Sequence, residues 1–209
     1  MTVYDDRFYG EIKEGAYLSA SIVAPLVLHH VAPLGPLPTL SLLDVGCGQG
    51  WWAKAFQDLG VANVTGIDGD YVQDPVVPFI GHDISKSLPE FDEKYDVLLC
   101  LEVAEHLPEH RADSFVAELC ERSDIIVFSA AIPFQTGTHH INCQWLSYWA
   151  EKFKSHGYNL VDSIRWEVWN NPQVESWYKQ NVVIFDKNPW PEERVYDVVH
   201  PDIHFWGRV

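Results

Sequence analysis

Basic residues are scarce in this 209-residue chain: 14 Lys and Arg stand against 30 Asp and Glu, for a formal net charge of −16. That balance argues against holding nucleic acid, because neutralising phosphates needs clustered Lys and Arg. It equally disfavours an anionic membrane surface. Cysteine is also sparse. Cys47, Cys100, Cys120 and Cys143 include no CxxC pair, which removes the usual zinc and redox spacings and leaves reduced, buried thiols as the expectation. The N-terminal stretch MTVYDDRFYGEIKEG has no basic segment leading into an apolar one, so no signal peptide is expected there and the protein reads as cytoplasmic. Long apolar runs are missing too: His29, His30, Pro25, Pro33, Pro36 and Pro38 interrupt residues 16–40, against a spanning helix. No repeat, low-complexity tract or linker marks a second domain. Apolar material is nonetheless plentiful, at 47% hydrophobic residues with nine Trp, which excludes disorder as the main state.

The pattern along the chain alternates strands with helices. Helices are predicted over 15–30, 51–59, 110–122 and 144–156. Strands are predicted over 40–45, 61–68, 76–80, 95–101, 125–131, 160–168 and 181–185. YDVLLCL at residues 95–101 is nearly all apolar, as a strand buried on both faces should be. Such alternation implies βαβ units and an α/β fold with a doubly wound, mostly parallel sheet. The last two strands show no helical pattern between them and are expected to pair as a hairpin at one sheet edge. One domain is expected over residues 1–209, with an N-terminal helical segment to residue 39, one half over 40–131 and another over 132–209.

LLDVGCGQGWWAKAF at residues 42–56 reads as a strand, a glycine-rich turn and a helix start. Gly46, Gly48 and Gly50 let backbone approach a ligand at a helix N-terminus. Their spacing is GxGxG, not the GxGxxG of dinucleotide binding. Asp44 precedes the loop, and Asp68 ends the next strand, where an acid can take both hydroxyls of a ribose. At this point the sequence resembles the class I S-adenosylmethionine-dependent methyltransferases. DVGCGQG is similar to their first motif, VTGIDGD (residues 64–70) to the second, GHDI (81–84) to the third and YDVLLCLEVAEHL (95–107) to the fourth. The resemblance implies a seven-stranded Rossmann-like sheet of order 3-2-1-4-5-7-6 and S-adenosylmethionine as cofactor. The cofactor-binding set it implies is Asp44, Gly46, Cys47, Gly48, Gly50, Asp68, Gly69, Asp83, Ile84, Leu101 and Glu102.

Methyl transfer from a sulfonium must align the acceptor, exclude water and manage one proton. Glu102, Glu105 and His106 stand at i, i+3 and i+4, sharing one face if the segment is helical. Carboxylates with imidazole suit Mg²⁺, Mn²⁺, Fe²⁺ or Zn²⁺. This ExxEH resembles the metal site of ubiquinone-biosynthesis O-methyltransferases and of small-RNA 2′-O-methyltransferases, the latter adding a His after the fifth strand, where THHIN (138–142) offers His139 and His140. A divalent metal on Glu102, Glu105, His106 and His140 is therefore one alternative. Cofactor contact or a structural role for the two glutamates is the other. His140 has three open readings: general base and candidate catalytic residue, metal ligand, or a hydrogen bond that orders its loop.

FSAAIPFQTGTHHINCQWLSYWAEKF (128–153), WYKQNVVIF (177–185) and DVVHP (197–201) resemble a narrower group of bacterial methyltransferases. Against its pattern His139 replaces a Gly and Cys143 an acid, and His140 is the firmer counterpart. That likeness implies a sugar or small polyol acceptor. Trp51, Trp145, Trp149, Trp177 and Tyr178 are candidates to wall the acceptor pocket, and Tyr4, Phe8 and Tyr9 to form part of a lid. The expected partner is a small-molecule acceptor, with no nucleic acid and no membrane. N-methylation of an amine, a nicotinamide-dependent oxidoreductase and a non-catalytic cofactor-binding subunit remain as competing readings.

Overall fold

The computed structural model describes residues 6–189, 191 and 194–203, with residues 6–14 described by their backbone alone. The elements run α1 (Asp6–Val31), β1 (Ser41–Val45), α2 (Trp51–Asp58), β2 (Asn63–Asp68), β3 (Phe79–Gly81), β4 (Val97–Leu101), α3 (Ala112–Arg122), β5 (Ile125–Ser129), α4 (Leu146–Ser155), β6 (Asn159–Val161), α5 (Ser163–Val168), α6 (Ser176–Asn181) and β7 (Val183–Asp186). The strands form one sheet of order β3-β2-β1-β4-β5-β7-β6. Pairing is parallel from β3 to β5, and β7 runs antiparallel to both β5 and β6. This is the doubly wound α/β arrangement the sequence predicts.

Side-chain alternation along the central strands divides the core in two. Leu42, Leu99 and Val127 face a layer built from α1, α2 and α5. Leu43, Leu98, Ile126 and Phe128 face the layer of α3 and α4. Every residue of β4 and β5 is buried, because helices cover both faces of a parallel sheet. Among the described residues, Gly15–Leu34 is long and apolar enough by length and composition to cross a membrane. Ala20, Val23, Ala24, Val27 and Val31, the inner stripe of that helix, are wholly buried in the first layer.

Two predictions at the C-terminal side are corrected. The expected strand over 160–168 ends at Val161, and the rest is α5. Ile164 and Val168, four apart, bury one helical stripe, and Arg165 donates to Asp162 three residues back. The β-branched run disguised a helical period. The expected strand start at Asn181 is instead the last residue of α6. So β6 and β7 do pair antiparallel, but two short helices connect them where a loop was expected.

The second layer depends on an aromatic cluster in which Phe153 of α4 stacks on Phe185 of β7 at 4.0 Å between ring centroids. Both are fully buried. Phe153→Ala is predicted to cost about 3–5 kcal/mol in urea denaturation, the range for a large buried aromatic whose cavity cannot collapse. A loss under about 1 kcal/mol would place that ring outside the core.

Candidate active site

The strand order reverses between β1 and β4, so the chain diverges there and leaves a crevice at the carboxyl ends of the strands. A cavity of about 610 Å³ fills it. After β1 the chain turns through Gly46, Gly48 and Gly50, all at positive φ. A side chain at Gly46 would meet Val103 at 2.3 Å, and one at Gly50 would meet Val77 at 2.6 Å. Hence the loop lies flat on its neighbours only because both lack Cβ. Gly46 and Cys47 donate their backbone N–H to the Ile67 carbonyl at 2.8 and 3.1 Å. Gly48 N–H donates to Asp68 Oδ2 at 2.8 Å. These bonds clamp the loop to the tip of β2.

Asp44 is buried at the end of β1, with one carboxylate oxygen accepting from Ala53 N–H at 3.3 Å. Burial pushes its carboxyl up to about 7, with the Asp68 charge adding to the rise. Asp68 accepts from Gly48, from Gly69 N–H at 2.7 Å and from the Tyr71 hydroxyl. Asp83 sits exposed at the cavity edge, and hydrogen bonds from Lys86 and Ser85 hold its carboxyl down at about 2. Of the predicted residues, Asp44, Gly46, Cys47, Gly48, Asp68, Gly69, Asp83, Ile84, Leu101, Glu102, His106 and His140 line the cavity. Gly50 and Glu105 do not; Gly50 instead caps α2 in a left-handed conformation.

The segment after β4 is not the regular helix under which Glu102, Glu105 and His106 would share a face. Glu102 has φ +55°, and only Ala104–His106 forms a single 3-10 turn. Two bonds to Ser129, from the Glu102 N–H to its carbonyl and hydroxyl oxygens, both at 3.0 Å, fix this departure. Glu102 is thereby turned toward Asn181, whose Nδ2 donates to it at 3.1 Å. Burial lifts its carboxyl to about 7. Glu105 is wholly buried, and neither carboxylate oxygen has a hydrogen-bond partner. Burial, reinforced by the neighbouring Glu102 charge, holds it well above the ordinary carboxylate range.

Glu105, His106 and His140 each present a ligand atom within 4.8 Å of the other two. Glu102 is not part of that cluster. His106 Nδ1 lies 3.2 Å from the His139 carbonyl and His140 Nδ1 lies 3.4 Å from the Gln135 carbonyl. A carbonyl only accepts, so each Nδ1 carries the proton and each Nε2 keeps a free lone pair. Burial lowers both imidazoles, His140 adding to the effect on His106. Gly137 makes room for the His140 ring, which a Cβ there would strike at 2.1 Å.

The aromatic candidates separate. Trp51, Trp177 and Tyr178 line the cavity. Trp149 is instead buried against Phe128, and Trp145 also stays away from the cavity. Tyr4 and the side chains of Phe8 and Tyr9 lie outside the described residues. His139 is exposed and contributes its carbonyl to His106. Sequence reasoning missed Gln135, Asn181 and Tyr71. Asn181 and Gln135 are buried and hydrogen-bonded to each other and to Glu102. The polar triplet KQN inside the apolar stretch WYKQNVVIF was the available signal.

Asp44 makes stability pH-dependent in a defined direction. An unfolded Asp titrates near ~3.9, below the folded value, so the folded state binds the extra proton. Stability relative to Asp44→Asn is therefore fullest below about pH 4 and declines by a few kcal/mol as pH rises through about 7. Denaturant titrations of both proteins across that window measure it, and a constant difference would remove Asp44 from this role.

A family model described as a methyltransferase domain matches residues 16–122, half of the chain. An uncharacterized methyltransferase of Mycobacterium leprae is 35% identical over 116 residues, which cover 51% of this chain and 40% of that protein. The ubiquinone biosynthesis O-methyltransferase of Escherichia coli is 30% identical over 108 residues, 46% of this chain and 45% of that one. The matches thus span under half the length of these relatives. Among solved structures, Streptomyces venezuelae DesVI aligns with a TM-score of 0.61 at 14% identity, covering 87% of this chain and 95% of that one. The magnesium protoporphyrin IX methyltransferase of Synechocystis, with bound S-adenosylmethionine, gives 0.56 at 20% identity, covering 88% and 85%. At those identities the structures speak to fold. Together with the family match they make this chain a member of the methyltransferase-domain family, on the class I fold of S-adenosylmethionine-dependent enzymes.

Proposed function

We propose that this protein transfers the methyl group of S-adenosylmethionine to a hydroxyl of a small acceptor, a sugar or other polyol, with a divalent metal assisting. Asp68 takes the ribose hydroxyls, the Gly46–Gly48 turn lies along the methionyl end, and Asp83 with the Ile84 N–H borders the adenine. The sulfonium is cationic, and the buried Asp44 and Glu102 at the cavity wall favour positive charge beside them. Trp51 and Trp177 line the cavity, and indole rings are surfaces on which a sugar ring can stack.

The observation that carries the metal-assisted reading is the convergence of the buried Glu105 carboxyl with two imidazoles whose Nδ1 protons are engaged elsewhere, their ligand atoms all within 4.8 Å of one another. Ionised, that carboxyl would be a buried charge calling for a cation. One carboxylate and two imidazoles fit Mn²⁺, Fe²⁺, Zn²⁺ or Mg²⁺. An ion bound there would lower the pKa of an acceptor hydroxyl. The His139 and Gln135 carbonyls orient the two rings, as partners of metal-bound histidines do. His140 borders the cavity, so it also supports a second reading as a metal-free general base, oriented by the same Gln135 carbonyl.

The ribose, metal and general-base assignments are each open to measurement. Asp68→Ala should weaken S-adenosylhomocysteine binding in calorimetry about tenfold or more, because charged hydrogen bonds are lost. Unchanged affinity would refute the ribose assignment. Methyl transfer to a panel of hydroxylated acceptors should stop on chelation and return with added Mn²⁺ or Mg²⁺. Glu105→Gln should then lower metal affinity about ten- to a hundredfold. Turnover indifferent to chelator, but reduced about a hundredfold by His140→Ala, would replace the metal with the general base.

A further inference from the structure

Behind Glu102 lies a pair of buried amides whose orientation the backbone dictates. Gln135 and Asn181 are each 6% exposed. Gln135 Oε1 accepts the Ile132 N–H at 3.2 Å. A backbone N–H only donates, so the other end of that amide, Nε2, is the donor that faces Glu102 Oε2 at 3.5 Å. Asn181 Nδ2 donates to the same Gln135 Oε1 at 3.2 Å and to Glu102 Oε1 at 3.1 Å. Neither amide can flip without setting two acceptors against each other. Each oxygen of the Glu102 carboxylate therefore meets one amide donor. The Ser129 hydroxyl also bonds that carboxyl, and Glu105 lies beside it.

Both amides are carried on parts of the fold that do not depend on Glu102. Asn181 ends α6, held between the bond from Val182 N–H to the Tyr178 carbonyl at 3.0 Å and β7, which pairs with β5 from Val183 onward. Its predecessor Gln180 grips the C-terminal segment with both ends of its amide. There Nε2 donates to the Val198 carbonyl at 2.7 Å, and Oε1 accepts the His200 N–H. Gln135 closes a turn, its N–H donating to the Ile132 carbonyl at 3.1 Å, and its own carbonyl takes the His140 ring. Glu102, by contrast, stands on a left-handed backbone just past β4 and lines the cavity. Asn181 serves it at a cost, because the buried Asn181 Oδ1 has no partner. An apolar side chain of the same size would fill that place without the cost.

We propose that Asn181 and Gln135 are positioning residues that hold the Glu102 carboxylate toward the cofactor's cationic sulfur, so that the protein distinguishes S-adenosylmethionine from its neutral demethylated product. A sulfonium is attracted to a fixed carboxylate, whereas a thioether is not. Once the methyl group has left, that attraction ends, and the product keeps only the contacts the two molecules share. This inference rests on the proposed seating of the cofactor, with its ribose on Asp68 and its sulfur beside Glu102.

The test is calorimetry of S-adenosylmethionine and S-adenosylhomocysteine on the full chain, without acceptor, for the unaltered protein and for Asn181→Leu. Asn181→Leu should weaken S-adenosylmethionine about three- to tenfold, the coupling expected within one hydrogen-bonded network, and leave S-adenosylhomocysteine within about twofold. Glu102→Gln should give a selective loss of the same kind by itself. Adding Asn181→Leu to it should change the ratio of the two affinities no further. Loosened packing weakens both ligands alike, so a merely structural asparagine would not move that ratio. Should Asn181→Leu fail to fold, Gln135→Met removes the other amide donor and is expected to show the same selectivity. A ratio unchanged in the folded amide variant or in Glu102→Gln would overturn the proposal, whether both affinities fall together or neither moves. A further shift on the Glu102→Gln background would overturn it as well. An unaltered protein that binds neither ligand is a different result, and it would overturn the cofactor reading together with this one.

Discussion

The hydrogen bond from Gly48 N–H to Asp68 joins the two strands on which the site is built. It connects the turn after β1 to the last residue of β2, so the glycine loop cannot lift without exposing a buried carboxylate. The Ile67 carbonyl reinforces the clamp by accepting from both Gly46 and Cys47. With loop and acid locked together, the crevice opened by the reversal between β1 and β4 has a rigid rim. The remaining parts of the site are placed relative to that rim: Glu102 at the end of β4, and the His140 loop after β5.

Burial makes several acids at the site costly. Asp44 and Glu102 on the cavity wall are both lifted to about 7, and the buried Glu105 is held well above the ordinary carboxylate range. A site so arranged gives up stability when empty and recovers it when positive charge arrives. A sulfonium beside Asp44 and Glu102, and a metal at Glu105, would each meet that need. The net charge of −16 thus has two components. Most of the carboxylates lie on the solvated surface, while a few are buried at or beside the cavity.

The parallel sheet, the glycine loop and the acids at strand ends were legible because their signals are local. A strand, a turn and a helix start follow one another within residues 42–56, and Asp68 marks a strand terminus. The run 160–168 misled because Ile164 and Val168 have β propensity but helical spacing. The ExxEH segment shows a subtler limit. Reading it as a helix brought Glu105 and His106 together, as they are, but also added Glu102, which its left-handed backbone sends to Asn181. Asn181 and Gln135 meet Glu102 across 79 and 33 residues, and a single sequence carries no periodic signal for contacts at that range. Tyr71 was hidden differently: its spacing from Asp68 was visible, but only geometry shows its hydroxyl on the acid.

We place the adenosyl cofactor on Asp68 in one cavity, its reactive end toward His106 and His140 on the wall, with Glu105 buried beside them. A crystal structure of the protein with S-adenosylhomocysteine and Mn²⁺ tests this placement most directly. The account predicts the ribose on Asp68 and an anomalous manganese peak bounded by Glu105, His106 and His140. Ligand density away from Asp68, or manganese bound only elsewhere, would contradict it.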